Sequence, residues 1–238
     1  MSRPVMLLFV VLGCAAAVPA QAQDQGFSVS LGYFAPTGEG GRDEGDVLNA
    51  NRCIDTDFLC EPLLFDVGDF GGFTIGGEYL FGIGRYVEAG VGLGFYQRSV
   101  DSIYEFVTRP DGTEIEQDLK LRVVPITGTL KFVPTGRDAS IQPYVGAGIA
   151  AMLWSYSETG EFVDPVDNSI FRDSFEADGT EVGPVIFGGV RAPIGASTML
   201  GGEVRWQSAE ADLPEDEFLG DHINLGGFTF QALLTWRF

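Results

Sequence analysis

The sequence predicts an all-β protein: a closed antiparallel eight-stranded transmembrane β-barrel, with short turns at one end and long acidic loops at the other. Three observations carry that expectation. Apolar residues recur at period two through eight segments, most of them nine residues or longer, the length a tilted membrane-crossing strand needs. Short and long connections alternate between the segments, as they do when an even number of strands runs up and down a barrel. The chain has 34 acids against 14 basic residues, a net charge of -20, and the acids are concentrated in the long connections.

The chain opens with Arg3, an apolar run from Val5 to Val18, and Ala20-Gln21-Ala22. That order reads as a secretory signal peptide over residues 1–22, cut after Ala22. The run is too short for a membrane anchor, which needs about 20 residues. A lipidation box at Val11-Leu12-Gly13-Cys14 is the rival reading, and Leu12 fits it poorly. Residues 23–238 then make up the barrel domain.

The strands follow in order. GFSVSLGYF (26–34) comes first, then FGGFTIGGEYLF (70–81), YVEAGVGLGFYQR (86–98) and LKLRVVPITGTLKF (119–132). QPYVGAGIAAMLW (142–154), VGPVIFGGVRAPI (182–194), TMLGGEVRWQS (198–208) and INLGGFTFQALLTWRF (223–238) complete the set. GIGR, PTGRDASI and GAS are the tight turns; 35–69, 99–118, 155–181 and 209–222 are the long loops. A faint repeat, YVEAGVGLGFY at 86 against YVGAGIAAMLW at 144, marks two similar strands running the same way.

Energy settles which face of each strand looks inward. In the seventh segment Glu203, Arg205 and Gln207 share one parity, and Leu200, Val204 and Trp206 share the other. An Arg or Lys facing lipid at the midplane costs about 2–4 kcal/mol, so the charged parity must face the lumen. The same rule sends Glu78, Glu88, Arg98, Lys131, Arg191 and Arg237 inward, giving an eight-residue network with Glu203 and Arg205. It leaves Val87, Ala89, Val91, Leu93 and Phe95 facing lipid, with Gly90, Gly92 and Gly94 in a lumen just wide enough for side chains to fill. Opposed charges in so narrow a space must pair or be solvated.

The four long loops hold 29 of the 34 acids. Such a surface excludes nucleic acid, which wants basic residues, and meets anionic lipopolysaccharide only through bridging divalent cations. No stretch matches a 12-residue calcium loop, and no metal or cofactor site is expected. Cys53 and Cys60 are an even pair in an exported chain and read as a disulfide. Closing so short a loop is worth about 2.5 kcal/mol in the chain-entropy model. Without a nearby His they do not make a zinc site.

Taken together, the signal peptide, the eight amphipathic segments and the terminal FTFQALLTWRF resemble the small outer-membrane β-barrel proteins of Gram-negative bacteria, the OmpA-, OmpX- and OmpW-type barrels. The chain departs from the two-domain OmpA pattern in having no periplasmic peptidoglycan-binding domain. The resemblance implies short turns and both termini on the periplasmic side, with the acidic loops extracellular. Phe230, Leu234, Trp236 and Phe238 match the closing-strand signal read by the barrel-assembly machinery. Three roles remain open. The first is a structural or surface-interaction barrel whose lumen is plugged by the charge network. The second is a pore or carrier for small solutes or hydrophobic molecules, with Tyr96 and Trp154 lining a pocket rather than forming an interfacial girdle. The third is a lipid A-modifying enzyme built on the single histidine, His222, beside Asp221; a nucleophilic site needs a hydroxyl within its reach, and Ser208 is the nearby choice. The chain is expected not to be an enzyme.

Overall fold

The computed structural model describes residues 25–52, 62–164, 167–214 and 216–238. The signal peptide, Cys53 and Cys60 lie outside the described residues. Eight strands form the wall: β1 Gln25–Pro36, β2 Gly72–Ile83, β3 Val87–Thr108, β4 Glu114–Phe132, β5 Gln142–Val163, β6 Ile170–Pro193, β7 Thr198–Gln207 and β8 Gly227–Arg237. Each pairs antiparallel with its neighbour in sequence, and β8 returns to pair with β1, from Gly26 opposite Arg237 to Pro36 opposite Gly227. The sheet is therefore a ring without free edges, which satisfies the backbone polar groups of every strand inside hydrocarbon.

Residues 84–86, 133–141 and 194–197 join strands at the end that also holds Gln25 and Phe238, whose main chains exchange two hydrogen bonds of 3.1 and 2.9 Å. Gly84, at φ 70°, supplies the left-handed backbone that the tightest of these turns requires. At the opposite end stand residues 37–52, 62–71, 208–214 and 216–226 and, at the tips of two long hairpins, residues 109–113, 164 and 167–169.

Those hairpins correct the sequence reading. The stretches 99–118 and 155–181, expected as loops, are mostly strand, because β3 to β6 run 19–24 residues each. Through much of them the alternation continues with its sense reversed, until it is interrupted by a register irregularity between Ile103 and Thr108 and gives way to full exposure at residues 170–174. On β4 the outward row reads Phe132, Leu130, Gly128, Ile126, Val124 and then Arg122, Lys120, Asp118 and Glu116, while the inward row passes from Lys131, Thr129 and Thr127 to Val123, Leu121, Leu119 and, past Gln117, Ile115. β3, β5 and β6 switch at the same height, at Phe95 to Gln97, Leu153 to Ser155 and Val182 to Thr180. The level is marked by the register Tyr96, Val123, Trp154, Gly179. Below it the wall is apolar outside and polar inside, as lipid demands. Above it the wall is polar outside and apolar inside, as water demands.

The upper half-wall needs an interior, and the two long loops provide it. The described residues of the first loop carry one α-helical turn, α1 Val47–Ala50, which Asp46 caps by accepting from the Leu48 N–H at 3.0 Å, and two 3-10 turns, Glu39–Gly41 and Val67–Phe70. Val47, Leu48, Val67 and Phe70 from this loop are buried with Leu213, Phe218, Ile223 and Leu225 from residues 208–226 against Leu119, Leu121 and Tyr156 of the wall. Within 208–226, Glu210–Asp212 pairs with His222–Asn224, so the expected last strand begins only at Gly227.

Candidate functional site

The lumen is closed at two depths by charge and at a third by apolar packing. Nearest the short turns, Glu88 on β3 accepts through Oε1 from three guanidiniums: Arg191 at 2.6 Å, Arg137 at 3.2 Å and Arg237 at 3.4 Å. Gln142 ties them together, its Oε1 accepting from Arg191 and Arg237 at 3.0 Å each and its Nε2 donating to the Arg137 and Ala139 carbonyls. Among the described residues one carboxylate is thus shared by three guanidiniums. Glu88 and Arg191 are buried, and a Cβ on Gly82 would stand 1.8 Å from the Arg137 Nη1, so the missing side chain is the space the guanidinium occupies.

One layer deeper the charges balance. Glu78 on β2 accepts from Lys131 and, at 2.7 Å, from the Thr129 hydroxyl. Glu203 on β7 accepts from Arg205 at 3.0 and 2.9 Å, from the Tyr144 hydroxyl at 2.9 Å and from Gln231 at 2.8 Å. The Phe187 ring lies between the two cations, with Lys131 at 5.4 Å and Arg205 at 4.9 Å from its centroid. Gly90 leaves room for Glu78, since a Cβ there would lie 2.4 Å from its Oε1. Such pairs hold in a dry lumen because each carboxylate has several donors.

Above this layer lies a cavity of about 70 Å³, bordered by Ser28, Glu78, Tyr96, Thr127, Arg205 and Gln207 among others. It has room for a few waters and not for a lipid chain. The apolar lid closes it from above: Tyr96 packs edge-on against Phe34 at 4.8 Å and donates its hydroxyl to the Phe70 carbonyl.

The lid is itself fastened by charge. Arg42 and Asp46 form a fully buried pair at 2.7 Å; Asp46 also accepts from the Asn224 N–H at 2.7 Å, and Arg42 donates to the Asn224 carbonyl at 3.0 Å. His222 points Nε2 at Asp43, 3.0 Å away in the first loop, and Nδ1 at Asp221, 2.5 Å away in the second. Burial alone would lower the imidazole's proton affinity, but the Asp221 hydrogen bond and the charges of Asp43, Glu210 and Asp46 outweigh it, and the net shift is upward from 6.5.

Seven of the eight expected lumen charges thus meet within these two layers. Arg98 does not. It shares the inward parity but stands above Tyr96, is exposed, and donates to the Asp69 carbonyl at 3.0 Å. Alternation places a residue on a face without giving its depth. Tyr96 and Trp154 are both inward and buried, so neither belongs to an interfacial girdle; Tyr96 borders the cavity and Trp154 sits in the lid. The sequence reading missed Arg137, which comes from a turn outside any strand parity. Gln142, Tyr144 and Thr129 it also missed, although all three share the parity of residues it did place. On β8, Phe230 and Trp236 are 51% and 39% exposed on the outer face, with Leu234 in the same row, and Phe238, just past the strand, is 68% exposed.

Comparison with known proteins agrees with this architecture. The structure resembles the crystal structure of the outer membrane protein OprG from Pseudomonas aeruginosa, with a TM-score of 0.52 at 10% identity, covering 92% of this chain and 97% of that one. The Neisserial surface protein A, NspA, is more distant, at TM-score 0.47 and 12% identity over 90% of this chain and 97% of the other. No curated protein matches the sequence. A family profile described as the outer membrane protein beta-barrel domain matches residues 6–238. With that match over nearly the whole chain, and eight strands closed into a ring, the protein belongs to the outer-membrane β-barrel family.

Proposed function

We infer that the protein is a sealed outer-membrane barrel with a structural or surface-contact role, its acidic loop end facing the exterior and both barrel termini facing the periplasm. The observation that carries this reading is the closure of the lumen at three depths, with a cavity of about 70 Å³ between the charge layers and the lid. A path for ions would have to break the Glu88 ring, the Glu78 and Glu203 pairs and the apolar lid together. That small volume also speaks against a carrier of hydrophobic molecules. His222 has both ring nitrogens directed at carboxylates, which suits a fastening between loops better than a base for a nucleophile.

On this reading the acidic exterior engages lipopolysaccharide or a partner through divalent cations, and Phe230, Leu234, Trp236 and Phe238 serve the barrel-assembly machinery during insertion. Single-channel recording in planar bilayers tests the sealed lumen. The purified barrel should give no steady openings, and long-lived openings of constant size would contradict the reading. Deleting Phe238 should lower the yield of membrane-inserted barrel while leaving the pairing of β8 with β1 intact in the molecules that do insert, measured by heat-modifiable migration on a gel.

A further inference from the structure

Among the described residues Lys120, Arg122, Arg172 and Arg85 have no ion pair or side-chain hydrogen bond; Arg172 lies at the exposed start of β6 beside the hairpin tip and Arg85 in the short turn against the Tyr86 ring, so Lys120 and Arg122 are the two that adjoin the apolar belt at the loop end. Arg42, Lys131, Arg137, Arg191, Arg205 and Arg237 engage polar partners inside the barrel, and Arg52 and Arg109 pair with loop or hairpin acids. Lys120 and Arg122 are exposed, lie on the outward row of β4, and form no ion pair or hydrogen bond among the described residues. They follow directly on Val124, the last apolar residue of that row. From Phe132 to Arg122 is ten residues; at about 3.3 Å each and a tilt of about 40° this spans about 25 Å, the height of the apolar band of a membrane barrel. Arg122 therefore lies at the far edge of the hydrocarbon, and Lys120 one step above it, at the depth of lipid headgroups.

The neighbours complete a polar surface. Arg122 is registered between Gln97 and Ser155, and Lys120 between Ser99 and Ser157. These short side chains leave the two cations uncovered and add donors around them. Acids frame the patch: Asp101 and Asp118 on the row above, and Asp178 and Glu176 one strand beyond the serines. We propose that Lys120 and Arg122, with Ser99, Ser155 and Ser157, form an external binding site for the phosphate of a lipid headgroup. The guanidinium supplies a two-point contact to phosphate oxygens, and the lysine reaches the same group along its flexible stem. A phosphomonoester fits best, because its extra charge and oxygens can engage both cations. The framing acids limit the site to one such group and exclude a broad anionic surface.

The proposal rests on the membrane-embedded reading, and one experiment separates the two. The mature barrel is reconstituted in phosphatidylcholine vesicles containing spin-labelled phosphatidic acid or spin-labelled phosphatidylcholine, and the motionally restricted fraction of each label is measured. Each basic side chain near the surface contributes at most about fivefold, so preference for phosphatidic acid averaged over all boundary lipids should be about twofold. The double variant Lys120→Gln, Arg122→Gln should bring it to about unity while keeping heat-modifiable migration, whereas Arg85→Gln at the short-turn end should leave it unchanged. Equal preference in the native barrel and the double variant would overturn the proposal. So would complete loss of the preference on adding millimolar inorganic phosphate, which would assign the site to a soluble anion. Loss of heat-modifiable migration in the native protein would overturn the embedded reading itself.

Discussion

Glu88 shows what a single residue decides in this lumen. Its one carboxylate holds three guanidiniums from the 133–141 turn, β6 and β8, so Glu88→Gln removes the charge that all three share, including that of the buried Arg191. Removing one partner of a buried pair costs about 3–5 kcal/mol, and the variant should unfold at correspondingly lower urea in detergent; a midpoint within error of the native value would contradict the assignment. Gly82→Val should be as damaging through a different cause, since its side chain would occupy the place of Arg137. At this scale the sequence was legible wherever parity and electrostatics coincide. Glu78, Glu88, Lys131, Arg191, Glu203, Arg205 and Arg237 all follow from the cost of a charge in lipid. Arg98 was misplaced and Arg137 overlooked because depth and turn geometry leave no trace in alternation.

At the scale of the element, the reversal of polarity along β3 to β6 explains why the upper part of each reads as loop in the sequence. A search for apolar rows separated by polar ones finds the membrane belt. Above it the greasy row turns inward and is shared with loop residues far away in sequence, while acids on the outer face resemble a solvated loop. The two halves should respond to opposite substitutions. Val91→Arg on the outer face below the switch should cost about 2–4 kcal/mol. Leu121→Ala, on the inner face above it, should cost about 2–5 kcal/mol as a core truncation, chiefly by loosening the lid, and can be measured as faster proteolysis of residues 37–71.

The lid also carries a pH dependence. The His222 imidazole titrates above its ordinary value between Asp43 and Asp221, so its contribution is fully present below about 6.5 and is lost as pH rises through the raised folded value. Proteolytic nicking of the lid should therefore quicken from pH 6 to alkaline pH, and His222→Gln should flatten that profile; an unchanged profile in the variant would remove His222 as the fastening.

For the whole molecule, closure and belt are one statement: eight strands pair in sequence, the last returns to the first, and the outer face of β3 to β6 divides along one register into a part made for lipid and a part made for water. The ring was legible from the even number of segments and the alternation of connections. The lid was not, because it depends on two loops folding together over a wall whose own pattern had changed sense. The most direct test follows the outer face of β4 with nitroxide labels placed singly at Leu130, Ile126, Val124, Arg122 and Lys120 in a cysteine-free background, reconstituted in vesicles. Accessibility to oxygen should dominate through Val124 and give way to accessibility to a water-soluble nickel chelate at Arg122 and Lys120. Uniform exposure to the chelate along the row would contradict the membrane belt, and with it the account of why this chain folds as it does.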